Sequence, residues 1–239
     1  ALFQELLIGV TSFFRDPQAF EALEQKCLPA LVEGKSDDAT LRVWVAGCST
    51  GEEAYSLAIL LREYLTQQRL PLAVQIFASD LDSRAIDQAR AGLYPIGIAG
   101  DMSPERLQRF FTREDTSYRV KKEIRDLVVF ATHNLLTDAP FTKLDLLSCR
   151  NVLIYLDAKA QQKLLSVFHY AVKPNGVLFL GTSETIDDSE GHFAPIDRKW
   201  KLFRRSLEPG TPPRLPTIPD RSAKIPTESP AESDAATIL

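Results

Sequence analysis

The chain is poor in the residues that build metal sites, disulfide frameworks and membrane anchors. Its three cysteines, Cys27, Cys48 and Cys149, form no C-x-x-C pair. An odd, scattered set reads as reduced thiols of a cytoplasmic protein. Its three histidines, His133, His169 and His192, lie far apart with no ligand spacing, so no metal is expected. No apolar run is long enough to cross a bilayer, so no membrane insertion is expected. The first residues lack the basic region and cleavage pattern of a signal peptide, and the chain does not start with Met. It is therefore expected to be a piece of something longer. Positive charge is also in deficit: the net charge of −4 weighs against a nucleic-acid partner. There is no internal repeat.

What remains is ordinary globular material, with 44% hydrophobic and 25% charged residues over a length of 239, enough for one or two domains. The stretch from Arg42 to Ser56 organises it. Arg42 to Ala46 has the apolar, β-rich character of a buried parallel strand. Gly47 and Gly51 bracket a tight loop, and Ser49 or Thr50 is a candidate cap for the helix that follows. In that helix Ala54, Leu57, Ala58, Leu61 and Leu65 share one face. This is the first βα unit of a nucleotide-type α/β fold, with one difference. A dinucleotide site wants G-x-G-x-x-G and a helix start open to phosphate. Here the glycines read G-x-x-x-G, and Glu52 and Glu53 fill the first turn. Two carboxylates suit the helix dipole but repel phosphate. A cofactor without phosphate and with positive charge, such as S-adenosylmethionine (SAM), fits better.

Along the chain, residues 1–10 read as the end of an amphipathic helix. Asp16-Pro17 is a cap and first position for a helix running through Phe20, Leu23, Cys27 and Leu31. A second strand, Ala73 to Ala78, leads to Asp80, which stands 29 residues after Gly51. A carboxylate there can accept from two ribose hydroxyls, while Asp82 and Ser83 cap the helix from Ser83 to Ala91. Residues 94–126 break the alternation and read as an insertion. It has a short helix with Leu107, Phe110 and Phe111 as apolar face, and a strand or hairpin at Tyr118 to Ile124. Strands resume at Leu127 to Ala131 and Leu144 to Cys149, followed by a helix from Asp157 to about Val172. A turn at Lys173 to Gly176 leads to a strand from Val177 to Gly181. An antiparallel pair near Phe193 and Leu202 closes the series. Seven of the fifteen prolines fall in residues 207–239, which read as a disordered tail or linker.

Five separated motifs then agree in order. They are Thr11-Ser12-Phe13-Phe14-Arg15-Asp16, Gly47 to Glu53, Phe77-Ala78-Ser79-Asp80, Asn134-Leu135-Leu136 and Cys149 to Tyr155. Together they resemble the catalytic domain of CheR-type methyltransferases, which esterify glutamates of bacterial chemoreceptors. The resemblance covers roughly residues 8–205 and implies a class I SAM-dependent methyltransferase fold. That fold is a Rossmann-like α/β three-layer sandwich with about seven mostly parallel strands and a small inserted subdomain. The methyltransferase domain is expected at 11–206. The resemblance implies that SAM, and the product S-adenosylhomocysteine (SAH), are held by Thr11, Arg15, Glu53, Asp80, Asn134, Leu135, Asn151 and Val152. Glu53 would face the ammonium and Asp80 the ribose.

The implied reaction is methyl transfer from SAM to a protein glutamate, without a metal. A carboxylate is ionised at neutral pH, so the work is alignment and exclusion of water rather than proton transfer. Arg15 is the first candidate to orient an anionic group, with a salt bridge to Asp16 or a nearby acid as its plainer role. Tyr155 either lines the substrate entrance or belongs to the core, and both readings stay open. His133 is expected to be structural. Two other readings also stay open: a SAM- or SAH-binding sensory module of a multidomain protein, and a methyltransferase for another substrate. Two departures from the family matter. Its amino-terminal helical domain is missing apart from a remnant at 1–8. The stretch 112–117 is also short, and there is no glycine between Gly100 and Gly176. The expected partners are therefore chemoreceptor or signalling-protein glutamates, reached directly or through fused domains. No carboxyl-terminal receptor pentapeptide is expected as a tether.

Overall fold

The computed structural model describes residues 11–185 and 191–206. The expected helix end at 1–10 and the tail at 207–239 lie outside the described residues. The described chain begins with helices α1 (Pro17–Lys26) and α2 (Leu28–Val32). The expected single helix is broken here. Pro29 lies in the first turn of α2, where its missing N–H and ring would disrupt a continuous helix.

The main sheet starts with β1 (Thr40–Ala46), helix α3 (Glu52–Gln68), β2 (Ala73–Asp80) and helix α4 (Ser83–Ala91). The insertion follows: β3 (Leu93–Pro95), a 3₁₀ turn, helix α5 (Pro104–Phe110), β4 (Phe111–Glu114), β5 (Ser117–Val120) and helix α6 (Lys122–Arg125). The sheet resumes with β6 (Val128–Thr132), β7 (Leu144–Cys149), helix α7 (Ala158–Ala171), β8 (Val172–Leu180), β9 (Phe193–Asp197) and β10 (Leu202–Arg205).

Seven strands stand in the order β6-β2-β1-β7-β8-β10-β9. The pairs β6/β2, β2/β1, β1/β7 and β7/β8 are parallel, while β10 runs antiparallel to both β8 and β9. Strand alternation divides the core between the faces. Leu41, Val43 and Val45 join the core under α1, α3 and α4, whereas Trp44 and Ala46 join that under α7. This is the expected three-layer sandwich. The insertion forms its own three-stranded sheet, β3-β5-β4.

Some local expectations change. Phe111 begins a strand rather than ending a helix, and the stretch Tyr118 to Ile124 divides between β5 and α6. Lys173 to Gly176 is no turn between elements but lies within β8. Opposite it the ladder register shifts between Leu144 and Leu146, so these residues bulge out of the pairing.

The amino-terminal edge of the parallel strands is stitched by one carboxylate. Asp145, at the start of β7, is 4% exposed. It accepts from the Arg42 amide at 2.8 Å, Lys35 Nζ at 2.8 Å and Lys173 Nζ at 3.0 Å. Asp145→Ala leaves a buried amide and two ammonium groups without this acceptor, a loss of about 1–3 kcal/mol. Urea denaturation should show that loss; an unchanged midpoint and slope would mean that the stitch has no net worth.

Candidate functional site

The strands β1 and β7 are neighbours whose connections leave in opposite directions, the place where open α/β sheets bind ligands. Two loops meet there, residues 47–51 after β1 and residues 150–153 after β7.

The first loop is held by backbone donors. The amides of Gly47 and Cys48 donate to the Ser79 carbonyl at 2.8 and 2.9 Å, and that of Ser49 donates to Asp80 Oδ2 at 2.8 Å. The Tyr94 hydroxyl, from the insertion, donates to the Thr50 carbonyl at 2.7 Å. Gly47 and Gly51 have φ of +74° and +95°. A Cβ on Gly47 would stand 2.3 Å from Val152 Cγ2, so the loops approach more closely than any side chain permits. Neither Ser49 nor Thr50 caps α3. Gly51 is the cap residue and makes no side-chain bond. Ser49 is instead left-handed, and the Thr50 hydroxyl donates to Glu52 Oε2 at 2.6 Å. Glu52 is buried, and that burial pushes its carboxyl above the usual range. Glu53 turns another way, toward β7.

The second loop is organised by Glu184, a residue that no local pattern marks as a ligand. It is 1% exposed and accepts from the amides of Val152 and Leu153 at 2.8 Å each, and from Gly181 at 2.5 Å. Burial raises its carboxyl while these backbone donors lower it. With its acceptors so arranged, Asn151 is held left-handed at φ +60°.

Arg150 joins the second loop to α3 and to the segment before α1. Its Nη2 donates to the Arg15 carbonyl and to Asp16 Oδ2, both at 2.8 Å, and its Nη1 to Glu53 Oε2 at 3.4 Å. The guanidinium lies over the rings of Phe20 and Phe179. Glu53 Oε1 accepts from the Ser148 hydroxyl at 2.6 Å. Asp16 therefore does not cap α1 with its side chain, as its sequence position suggests. It faces Arg150.

A cavity of about 230 Å³ opens between the loops. Among its lining residues are Thr11, Arg15, Glu53, Asn151 and Tyr155, which sequence reasoning had singled out. Gly47, Cys48, Ser49, Arg150 and Ile154 complete the lining. Tyr155 and Ile154 are exposed at 43% and 47%, so Tyr155 is a rim residue rather than core.

Four of the selected residues lie outside this lining. Val152 packs beneath Gly47. Asp80 ends β2, and its two oxygens accept from the Ser49 and Asp82 amides at 2.8 and 3.0 Å. Each oxygen keeps a further acceptor position. Asn134 follows β6 and its Oδ1 accepts from the Leu136 amide at 3.0 Å, an Asx turn. Leu135 packs against the core under α7. His133 has its ring against Trp44 and Phe141, with Nε2 3.0 Å from the Ala139 carbonyl, and its surroundings are structural. Burial pushes the Cys48 and Cys149 thiols up, which keeps them protonated. Among the described residues, no group of three or more His, Cys, Asp or Glu is arranged to hold a metal ion.

The donors fit SAM. The Glu53 carboxylate on the cavity wall suits a cationic ligand, Gly47 lines the same space, and Asp80 has acceptor positions to spare. Comparison with known proteins agrees. The family described as "CheR methyltransferase, SAM binding domain" matches residues 9–202. The chain is 43% identical over 225 residues to an uncharacterized 104.1 kDa protein in the hypE 3' region of Rhodobacter capsulatus, covering 94% of this chain and 23% of that protein. It is 39% identical over 191 residues to chemotaxis protein methyltransferase 1 of Pseudomonas aeruginosa, covering 78% and 69%. Against the chemotaxis protein methyltransferase of Escherichia coli the identity is 35% over 202 residues, covering 81% and 66%.

The loop contact carries its own prediction. Gly47→Ala combines a left-handed backbone with an overlap on Val152, together about 2–5 kcal/mol. Its melting temperature should fall well below that of the unaltered chain. Adding Val152→Ala should recover the part due to overlap and not the part due to φ. A Gly47→Ala protein that melts like the parent would refute the close approach.

Proposed function

The chain belongs to the CheR methyltransferase family, matching its SAM-binding domain over residues 9–202, and on that premise we propose that it methylates glutamate side chains of a chemoreceptor or related signalling protein. The observation that carries this reading is the pairing of an acidic cofactor cradle with an arginine in one cavity. Glu53 and Arg15 line the same space between the β1 and β7 loops. When bound, SAM supplies an electrophilic methyl carbon on a sulfonium.

The remaining work falls to this chain's own residues. Glu53 offers its carboxylate to the cofactor's ammonium, and Asp80 its spare acceptor positions to the ribose. Thr11 and Asn151 line the walls, Val152 backs Gly47, and Asn134 and Leu135, after β6, stand toward the cofactor's adenine. Arg15 orients the substrate carboxylate, and Tyr155 on the rim borders its entrance. The substrate oxygen arrives ionised, so no residue has to remove a proton. Alignment and dryness lower the barrier. Among the described residues no helix is long and apolar enough to cross a membrane.

Two tests address this reading. Calorimetric titration with SAH should give a saturable isotherm that Asp80→Ala weakens by about 1.5–3 kcal/mol, the worth of charge-assisted bonds. In the same protein, Arg15→Ala should lower methyl transfer to a receptor fragment at saturating SAM while the fold persists. Arg15→Lys should also be impaired, because an ammonium lacks the planar fork. Full turnover by Arg15→Ala would reject its role.

Docking is proposed to proceed without a peptide tether. β4 is an edge strand of only four residues, Phe111 to Glu114, and its hairpin to β5 is tight. Arg119 Nε donates to Glu114 at 2.5 Å across that hairpin, and Nη1 donates to the Ala91 carbonyl. A short, charged edge disfavours strand addition. A peptide Asn-Trp-Glu-Thr-Phe should show no saturable micromolar binding. Such binding, lost on mutating Arg113 or Arg119, would overturn the proposal.

A further inference from the structure

The charges around Glu53 are unevenly shared. The Arg150 side chain is 1% exposed, that of Glu53 16% and that of Asp16 34%. One guanidinium faces two carboxylates, so the trio carries a net charge of −1. Arg150 does not divide itself equally. It stands 2.8 Å from Asp16 and 3.4 Å from Glu53. Arg150 Nε has no acceptor among the described residues, so the whole grip is made through the two terminal nitrogens. The shorter contact goes to Asp16, and because one cation is shared by two carboxylates, neither of them is neutralised in a closed pair.

We propose that Asp16 is a positioning residue for the cofactor subsite: by holding Arg150, it keeps the Glu53 carboxylate available to a ligand ammonium. The inference rests on the assignment of Glu53 to that ammonium. Without Asp16, Arg150 remains buried and its nearest carboxylate becomes Glu53. The two then neutralise each other, and the subsite loses its attraction for a cation. The same grip reaches the Arg15 carbonyl, so the carboxylate partner of the cofactor and the loop bearing Arg15 share one anchor.

Asp16→Asn is the apt variant. Asp16 is left-handed at φ +60°, a conformation that Asn also tolerates. The substitution removes the charge while keeping the shape. Two ligands separate the roles: SAH has the amino-acid end, and 5′-methylthioadenosine lacks it. Asp16→Asn should weaken SAH roughly tenfold and leave 5′-methylthioadenosine unchanged, as expected for a lost charge preference in a partly buried site. In a Glu53→Gln background, Asp16→Asn should add nothing further, because the two act through the same carboxylate.

Equal weakening of both ligands would mean a structural role and overturn the proposal, as would no change in either. Additive losses in the double variant would overturn it too. If the parent chain shows no preference for SAH, or Glu53→Gln keeps that preference, the assignment of Glu53 itself fails. That outcome is read from Glu53→Gln alone and stays distinct from a failure of Asp16. Circular dichroism melting of each variant confirms that the folded protein is being titrated.

Discussion

The site depends on two loops lying closer together than side chains permit. Gly47, on the loop after β1, meets Val152, on the loop after β7, where an added Cβ would stand 2.3 Å from Val152 Cγ2. That approach is set by the parallel pairing of β1 and β7, which brings both loops to one end of the sheet. The backbone bonds around it fix each loop separately: Ser79 and Asp80 hold the first, Glu184 the second. Arg150 then ties the second loop to the first turn of α3 and to the segment bearing Arg15. With three independent anchors, the cavity walls are set before any ligand arrives, as preorganised positioning requires.

The insertion takes part in the same construction. Phe13 packs edge-on against Tyr94 and Phe111, at 4.9 and 5.3 Å between ring centroids. The Phe13 amide donates to Asp101, and the Phe14 amide to Ser56 Oγ at 2.9 Å. The Tyr94 hydroxyl reaches back to the glycine loop. The aromatic pair before Arg15 is thus the means by which that arginine's loop is clamped between α3 and the insertion. A subdomain that looks peripheral in the sequence braces two of the segments that line the cavity.

The elements that could be read in advance were those with a clear period or cap. β1, β7, α4 and α7 follow their hydrophobic patterns, and Asp82 and Asp157 cap α4 and α7 as their positions suggest. The misreadings came where tertiary contacts outweighed local chemistry. Asp16 sits where a cap should be but is drawn to a buried guanidinium. Lys173 to Gly176 has turn composition, and Asn175 is left-handed at φ +64°, yet the chain stays in the sheet by bulging. β3 is too short to carry a period. Of the residues that line the cavity, Glu53 stands out by its place after the glycine loop, whereas Thr11, Arg15 and Asn151 are carried by the motifs of the family resemblance. Glu184 was not legible, because its partners are backbone amides some thirty positions away along the chain. Arg150 offered one overlooked signal: a charge directly after a strand in which every residue is buried must itself be paired.

Glu52 and Glu53 show why composition alone could not separate roles. Adjacent helical residues point about 100° apart, so two like side chains enter different surroundings. Glu52 goes into the interior beside Tyr94 and Asp101, where burial raises its carboxyl and the Thr50 hydroxyl gives it a donor. Its carboxyl thereby stabilises the loop and takes no place in the cavity lining. Glu53 goes to the cavity, where Ser148 donates to one oxygen and Arg150 stands at a distance from the other. Were both fully charged and facing the same space, their repulsion would oppose the folding of the helix start. Partition by helical angle lets one carboxyl serve the loop and leaves the other on the cavity wall.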